Sequence, residues 1–298
     1  MILRLLKVLL SLKNNILLNT NTALPFVVMS CFFWSCTSKA EEFPIPNFIQ
    51  PHQIVHRGVF SNDQSTYYFV VSDTNFEQFD IWQTERMGSK WSDPHKAIFN
   101  SDYNDHGLSF SPDGSQLYFS STRPVDSLLN TWHLWKSEKL DTTWSEPELV
   151  IIPNLMNRLL SHPTITPDGT LYFHLSDLDY SDMRLFSAKP KGSGYENARE
   201  LVFDELSEKG ITTPYVSADG QYIVFAVIEP NMSLYVAEST GNDSWSIPVK
   251  FPDSIIQKSQ GNPYLLPDIS SLLYASEKVD QWVIEQVPIV DFLNRIKE

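Results

Sequence analysis

Short apolar runs separated by tight turns recur along the chain, and one such stretch reads SFSPDGSQLYFSS over residues 109–121. Two alternating runs flank Asp113-Gly114, which is a strong hairpin signal because glycine adopts the positive φ that such a turn needs. Pro112 sets the φ of the first corner of the turn. Since an isolated two-stranded hairpin is only marginally stable in water, the pattern predicts further strands that pack against it.

The same hairpin pattern occurs five times in the chain. The turn aspartates are Asp63, Asp113, Asp168, Asp219 and Asp268, at spacings of 50, 55, 51 and 49 residues. A third apolar run follows each hairpin, and three units then carry the related turns KWSDP, TWSEP and SWSIP. Tyr195 takes the place of the tryptophan in the third unit. Four short runs per unit are typical of a propeller blade.

These residues resemble the PD40, or TolB-type, family of β-propeller repeats over about residues 45–290. The SPDG hairpins and the DIW…W-S-x-P spacing carry the resemblance, and they are typical of the repeat class rather than of one activity. Counting hairpins gives an all-β fold, a single β-propeller of five four-stranded blades that begins at about residue 54. Gln64 and Ile269 stand where the other hairpins have glycine, so we expect those two turns to be looser or of another type.

The fifth unit lacks the tryptophan turn and ends in IVDFLNRIKE. The segment NFIQPHQIVHRG, residues 47–58, resembles the fourth-strand segment SEPELVIIPN of the second unit. We therefore predict that the N-terminal segment supplies the outer strand of the fifth blade, which closes the ring without an open edge. The predicted propeller spans residues 47–290, with a C-terminal tail over 291–298.

Residues 1–36 have the pattern of a bacterial export segment. Three cations and no acid precede the apolar run ALPFVVMSCFFWS, whose length suits a signal peptide. The chain has two cysteines, Cys31 and Cys36. Ser35-Cys36 resembles a lipobox, which implies lipidation of Cys36, cleavage before it and a polar tether over residues 37–46. Cleavage at Cys31, an uncleaved anchor and a Cys31–Cys36 disulfide are the alternatives.

Composition agrees with a protein outside the cytoplasm. The chain is 298 residues long, with a formal net charge of −14 and a sequence pI of about 4.9. A surface this acidic repels phosphate backbones, which argues against nucleic-acid binding. We expect a lipid-anchored protein of the bacterial envelope, at the outer membrane, whose oligomeric state the sequence leaves open.

One face of the predicted ring gathers the polar residues that could bind a ligand. The first strand of each blade starts where the second strand ends, because the two are antiparallel. We call this the strand-start face, and the opposite face, which carries the aspartate turns, the turn face. The candidate ligand-binding residues of the strand-start face are Arg57, Asp105, His106, His162 and Arg123. Pockets of closed β architectures lie in such mouths.

Histidines in three adjacent blades are candidate ligands of a metal ion. His56 and His106 share a register relative to the turn aspartate, but His162 lies one residue later. An offset of one residue reverses the direction of a side chain along a strand. The chain also lacks H-E-x-x-H and C-x-x-C spacings. We therefore expect no metal and no other cofactor.

A five-bladed propeller that acts as a glycosidase needs a pair of catalytic carboxylates. Glycosidases place two of them about 5–9.5 Å apart, and Asp105 is the single acid among the strand-start positions. The pattern therefore favours a non-catalytic module that docks a protein or an envelope glycan. The alternative is a glycan-active hydrolase or lyase that uses Asp105 with the loop carboxylates Asp73, Asp177 or Glu277.

Overall fold

The computed structural model describes residues 45–46, 53–230, 232–241, 244–278 and 281–297. The expected export segment, the lipobox at Cys36 and most of the tether lie outside these residues. The described chain is an all-β, five-bladed propeller, which confirms the predicted fold class. Each inner strand faces the central axis, and the second strand of each blade is almost entirely buried.

The first two blades have five strands each. Blade one contains β1 (Gln53–Phe60), β2 (Thr66–Asp73), β3 (Asp80–Met87), β4 (Lys90–Trp91) and β5 (His95–Lys96). Blade two contains β6 (Asp105–Phe110), β7 (Gln116–Ser121), β8 (His133–Leu140), β9 (Thr143–Trp144) and β10 (Glu148–Leu149).

The last three blades vary this arrangement. Blade three contains β11 (Leu159–Ile165), β12 (Leu171–Ser176), β13 (Arg184–Ala188), β14 (Pro190–Lys191), β15 (Gly194–Tyr195) and β16 (Arg199–Glu200), followed by a 3₁₀ turn (Asp204–Leu206). Blade four contains β17 (Gly210–Val216), β18 (Tyr222–Ile228), β19 (Ser233–Gly241), β20 (Ser244–Trp245) and β21 (Val249–Lys250). Blade five contains β22 (Tyr264–Leu265), β23 (Ser271–Lys278) and β24 (Gln281–Pro288), before helix α1 (Val290–Ile296).

Blades one to four share one antiparallel topology. The third strand pairs with a two-residue outer strand, β5, β10, β16 or β21, which completes the predicted four strands. The tryptophan turn forms a separate small ladder at the end of the third strand, as in the pairing of Lys139 with Trp144. In blade three this ladder joins β14 and β15.

The five aspartate turns adopt one conformation, so the expectation of different turns at Gln64 and Ile269 is wrong. Gln64 (φ 54°) and Ile269 (φ 57°) lie in the left-handed region, as Gly114 does (φ 71°). The Asp63 carboxylate accepts from the Ser65 amide at 3.0 Å, and the equivalent bonds recur in the other turns. The aspartate therefore stabilises the turn even where glycine is missing.

Aromatic residues of the tryptophan turns link neighbouring blades. The Tyr118 and Tyr195 hydroxyls of blades two and three lie 3.2 Å apart. Tyr172 of blade three packs edge-on against Trp245 of blade four, with ring centroids 5.7 Å apart. Tyr68 of blade one packs against Phe110 of blade two, with ring centroids 5.3 Å apart, and Phe110 in turn packs against Trp144 at 5.8 Å. The tryptophan turns therefore pack between neighbouring blades.

The fifth blade differs from the others among the described residues, where it has three strands. Residues 47–52 lie outside them, so the N-terminal outer strand stays a prediction there. Residues 53–56 belong instead to β1, and the first three of them pair with β2. Ile45 and Pro46 lie beside Val283 and Ile284 of β24. Helix α1 packs Phe292 against Phe251 of blade four, at 4.6 Å between ring centroids. In the described part of the chain, no helix combines the length and apolarity needed to span a membrane.

Candidate functional site at the channel mouth

A β-bulge interrupts the inner strand of each of the first four blades at the same place. The register of the inner ladder shifts after Val55, His106, Ser161 and Thr212. The residues directly after the last three shifts have left-handed backbones: Gly107 (φ 63°), His162 (φ 53°) and Thr213 (φ 49°). Asn262 (φ 56°) has the same conformation at the equivalent position of blade five. Bulges re-aim side chains, and here they turn polar groups toward the axis.

Arg57 crosses the central axis. Its guanidinium Nη2 donates to the backbone carbonyls of Thr213, at 3.4 Å, and Pro214, at 3.1 Å. Arg57 belongs to blade one and its acceptors to blade four, which are not neighbours in a ring of five. The Arg57 side chain is fully buried as a result.

His162 makes a second contact across the axis. Its Nε2 donates to Asn262 Oδ1 at 3.0 Å, which joins blade three to blade five. The backbone N–H of Asn262 in turn donates to Thr213 Oγ1 of blade four at 3.2 Å. We call Arg57, His162, Thr213 and Asn262 the channel plug, because their contacts fill the axis between opposite blades.

Burial keeps the imidazoles around the channel plug neutral. Desolvation lowers the pKa of His56 to about 3 and that of His174 to about 3. Burial also lowers the pKa of His106 and His162 well below the usual value, and the charge of Arg57 adds to both effects. Each of the four imidazoles has a hydroxyl partner, as for His106 Nε2, which lies 2.9 Å from Ser161 Oγ, and His162 also bonds to Asn262.

The predicted separation of His106 and His162 does not occur. Their ring centroids lie 4.6 Å apart, although His162 is offset by one residue in the sequence. The bulge supplies the extra residue that returns the His162 ring to the axis. No cluster of three or more potential metal-ligating His, Cys, Asp or Glu side chains occurs among the described residues.

Asp105 and Arg123 form an ion pair of their own. Arg123 Nη2 lies 3.2 Å from Asp105 Oδ1, and Asp105 Oδ2 accepts from the Ser101 amide at 2.7 Å. Arg123 also donates to the Phe99 carbonyl. Asp105 is fully buried, and this desolvation raises the pKa of its carboxyl despite the nearby arginine. The ion pair therefore stabilises the loop between blades one and two, through its bonds to the backbone of Phe99 and Ser101.

The structure thus divides the five predicted site residues into two groups. Arg57, His106 and His162 come together at the axis, whereas Asp105 and Arg123 pair elsewhere. Arg57 and Asp105 have no exposed surface, and His162 is 8% exposed. These three side chains are not accessible to a macromolecule that docks on the strand-start face.

Aromatic rings cover the histidines at the mouth of the channel. We call Phe76, Phe79, Trp132, Tyr180 and Trp282 the mouth cluster. His56 lies 5.1 Å from Phe79 and 5.3 Å from Trp282 between ring centroids, and Phe76 lies 5.5 Å from Trp282. Phe79 meets Trp132 at 5.7 Å. The rings therefore form a continuous surface over blades five, one and two.

Tyr180 extends the mouth cluster to blade three. Its hydroxyl accepts from Trp132 Nε1 at 3.1 Å. Trp132 follows a long loop but is only 6% exposed, because His106 packs against it with ring centroids 4.0 Å apart. The exposed rings are Phe76 (46%) and Tyr180 (56%), in the loops between second and third strands.

Phe76 and Tyr180 hold strained backbone conformations. Their φ values are 60° and 63°, in the left-handed region that bulky side chains avoid. Strain of this kind clusters at functional sites. Sequence reasoning missed both residues because they lie in loops outside the repeating strands. The signal that could have found them is an aromatic side chain beside Asn or Asp in these loops, TNFEQF and DLDYSD.

The loop acids proposed for catalysis lie in three different blades. Asp73 accepts from the Glu77 amide at 2.8 Å, Asp177 pairs with Arg158 at 3.0 Å, and Glu277 accepts from Gln260 at 3.1 Å. Each carboxylate therefore has a local partner, and none of these contacts joins two acids.

The turn face also has a groove, which is larger than its short turns suggest. Its volume is about 1130 Å³, between blades one and two. The turns of Asp63 and Asp113 line it together with Trp144, Lys139 and Leu140. Both faces of the ring therefore have a concave surface to which a ligand could bind.

Similarity to known proteins is confined to solved structures. No protein-family model and no curated protein matches the chain. The endo-arabinase from Bacteroides thetaiotaomicron has a TM-score of 0.52 and 12% identity, covering 78% of this chain and 93% of that one. TolB from Acinetobacter baumannii has a TM-score of 0.49 and 16% identity, covering 78% of this chain and 54% of that one. The Hadza microbial sialidase Hz136 has a TM-score of 0.45 and 14% identity, covering 79% and 56%. This chain spans about half the length of the latter two, and the likeness to the endo-arabinase shows a shared fold alone.

Proposed function

We propose that this protein is a non-catalytic, lipid-anchored binding module of the bacterial envelope that docks a partner protein on its strand-start face. The observation that carries the proposal is the mouth cluster, with Phe76 and Tyr180 exposed on strained loops. Large exposed apolar groups of this kind anchor protein interfaces. The net charge of −14 favours a basic partner, which it would steer toward the module.

The surroundings of the mouth cluster favour a protein over a glycan. Leu129 and Leu178 are exposed in the same set of loops, and leucine side chains suit an apolar partner surface. The polar groups needed to recognise sugar hydroxyls already have local partners. Asp179, for example, accepts from the Ser181 hydroxyl at 2.6 Å. A glycan remains the second outcome of the experiment below.

The burial of Asp105 counts against the hydrolase or lyase alternative. Its carboxylate is fully buried and engaged by Arg123 and Ser101. A general acid or nucleophile must reach its substrate within hydrogen-bond distance. Using Asp105 would require breaking a buried ion pair, which costs about 3–5 kcal/mol.

Photo-crosslinking in living cells tests where the partner binds. A photoreactive amino acid replaces Leu178 on the strand-start face or, as the matched control, Leu140 in the turn-face groove. The two leucines are 54% and 50% exposed, so a partner can reach the probe about equally well at either position. We expect a discrete, protease-sensitive adduct from position 178, which disappears with Phe76→Ser and Tyr180→Ser.

An adduct from position 140 alone would place binding on the turn face and contradict the proposal. An adduct from position 178 that resists protease but is cleaved by glycan hydrolysis would identify a glycan instead. The unfolding temperature of each variant shows whether it is folded.

Metabolic labelling tests the proposed lipid anchor at Cys36. Labelled palmitate should enter the wild-type protein and Cys31→Ser, and it should be lost in Cys36→Ser because the acylated thiol is gone. Loss in Cys31→Ser with retention in Cys36→Ser would move the anchor to Cys31. Absence of label in the wild type would favour an uncleaved anchor.

A further inference from the structure

The channel plug buries a positive charge. Arg57 has no exposed surface, and its Nη2 binds two backbone carbonyls. Its other two donor groups, Nε and Nη1, are buried without a hydrogen-bond partner among the described residues. Burying an unpaired charge costs several kcal/mol, so buried cations normally have a counter-ion.

No carboxylate of the described residues balances Arg57. Burial lowers the pKa of the Arg57 guanidinium to about 10, and the one electrostatic influence that opposes this effect is Tyr215. Burial raises the pKa of the Tyr215 phenol, so Tyr215 is neutral at physiological pH. Arg123, by contrast, pairs with Asp105, and Arg158 pairs with Asp177.

The imidazoles around Arg57 are neutral. Its charge contributes to the lowered pKa of His106, His162 and His174, which places all three within electrostatic range of the guanidinium. A neutral imidazole has one N–H donor and, unlike a carboxylate, does not compete as an anion. The bulge backbones and hydroxyls of the channel plug add further dipoles.

We propose that the channel plug binds a small monovalent inorganic anion, a halide such as chloride, against the Arg57 guanidinium. One anion balances the charge of one guanidinium and accepts from one of its free donors. A doubly charged oxyanion fits less well, because the neighbouring imidazoles carry no second positive charge. This anion site lies beneath the mouth cluster and is independent of the proposed partner.

Thermal unfolding of the full chain tests the site. The protein is exchanged into sodium gluconate, and chloride replaces gluconate at constant ionic strength, which keeps general screening equal. We expect the unfolding temperature to rise with the logarithm of the chloride concentration above the dissociation constant. Arg57→Met should abolish this response. Arg123→Met, which removes an arginine that already has a carboxylate partner, should lower stability but keep the response.

A wild-type unfolding temperature that is equal in chloride and gluconate would overturn the proposal, as would an unchanged chloride response in Arg57→Met. If Arg57→Met does not fold, crystals of the wild-type protein soaked in bromide decide the matter. An anomalous peak within hydrogen-bond distance of the Arg57 guanidinium supports the site, and a channel plug without one overturns it.

Discussion

At the residue scale, the aspartate turns show that backbone strain is tolerated where side-chain hydrogen bonds hold the turn. Gln64 adopts a φ of 54°, which costs a residue with a Cβ about 1–2 kcal/mol. Asp63 compensates by accepting from the Ser61 and Ser65 hydroxyls at 2.6 and 2.7 Å. These bonds also lower the pKa of Asp63 to about 2.

We predict that Gln64→Gly stabilises the protein by about 1 kcal/mol, because glycine adopts the left-handed conformation without strain. Urea unfolding measures the change in free energy. Gln64→Ala is the control, since it removes the same side chain but keeps the Cβ and should give no gain. Equal gains in both variants would show that the glutamine side chain, rather than the backbone, is unfavourable.

The residue scale also shows what the sequence could and could not reveal. The left-handed φ of Gly114 followed from the residue type, whereas that of Ile269 did not, because glycine was taken to be necessary. The sequence placed Arg57 and His162 on the strand-start face, but the one-residue offset of His162 wrongly implied that its side chain points away from His106. Their contacts with blades four and five depend on bulges and on the diameter of the ring, which no local pattern encodes.

At the element scale, neighbouring blades are joined by equivalent aromatic pairs. The strands and their order followed from apolar periodicity and turn residues, so the sequence predicted four of the five blades closely. The partner of each tryptophan turn was not predictable, because it lies about one and a half repeats away in the sequence. Tyr118 and Tyr195, for example, are 77 residues apart in the sequence.

We predict that Tyr118→Phe and Tyr195→Phe each destabilise the protein by about 1 kcal/mol, since each removes one partner of a part-buried hydrogen bond. Tyr118→Phe also loses the bond that this hydroxyl donates to Gln116 Oε1 at 2.8 Å. The double variant should cost less than the sum of the two, because the bond between the two hydroxyls is lost in both single variants. A double-mutant cycle from urea unfolding measures this coupling. Strict additivity would mean that the two hydroxyls do not interact.

At the scale of the whole molecule, four buried neutral histidines make stability depend on pH. Burial lowers the folded-state pKa of His56 and His174 to about 3, and lowers that of His106 and His162 in the same direction. In the unfolded chain, histidine titrates near pH 6.5. The unfolded state therefore binds more protons below that pH, so stability is complete above it and falls as the pH decreases toward 3.

We predict that the free energy of unfolding falls by roughly 1.4 kcal/mol per pH unit for each of these histidines between about pH 6 and pH 4. Urea unfolding at several pH values measures the slope. His174→Gln should reduce the slope by the contribution of one proton, because glutamine does not titrate. Glutamine can still bond to the Thr212 hydroxyl, which lies 2.9 Å from His174, so the packing should be kept. A slope unchanged by His174→Gln would indicate that His174 is protonated in the folded protein.

The channel plug should also make unfolding of the propeller cooperative. In most repeat proteins each unit touches only its neighbours, so unfolding can begin in one unit and spread along the array. Here Arg57 ties blade one to blade four, and His162 ties blade three to blade five. Opening blade one, three, four or five therefore breaks a contact with a blade that is not its neighbour in the ring. The five repeats should lose structure together, as one folding unit rather than as a row of five.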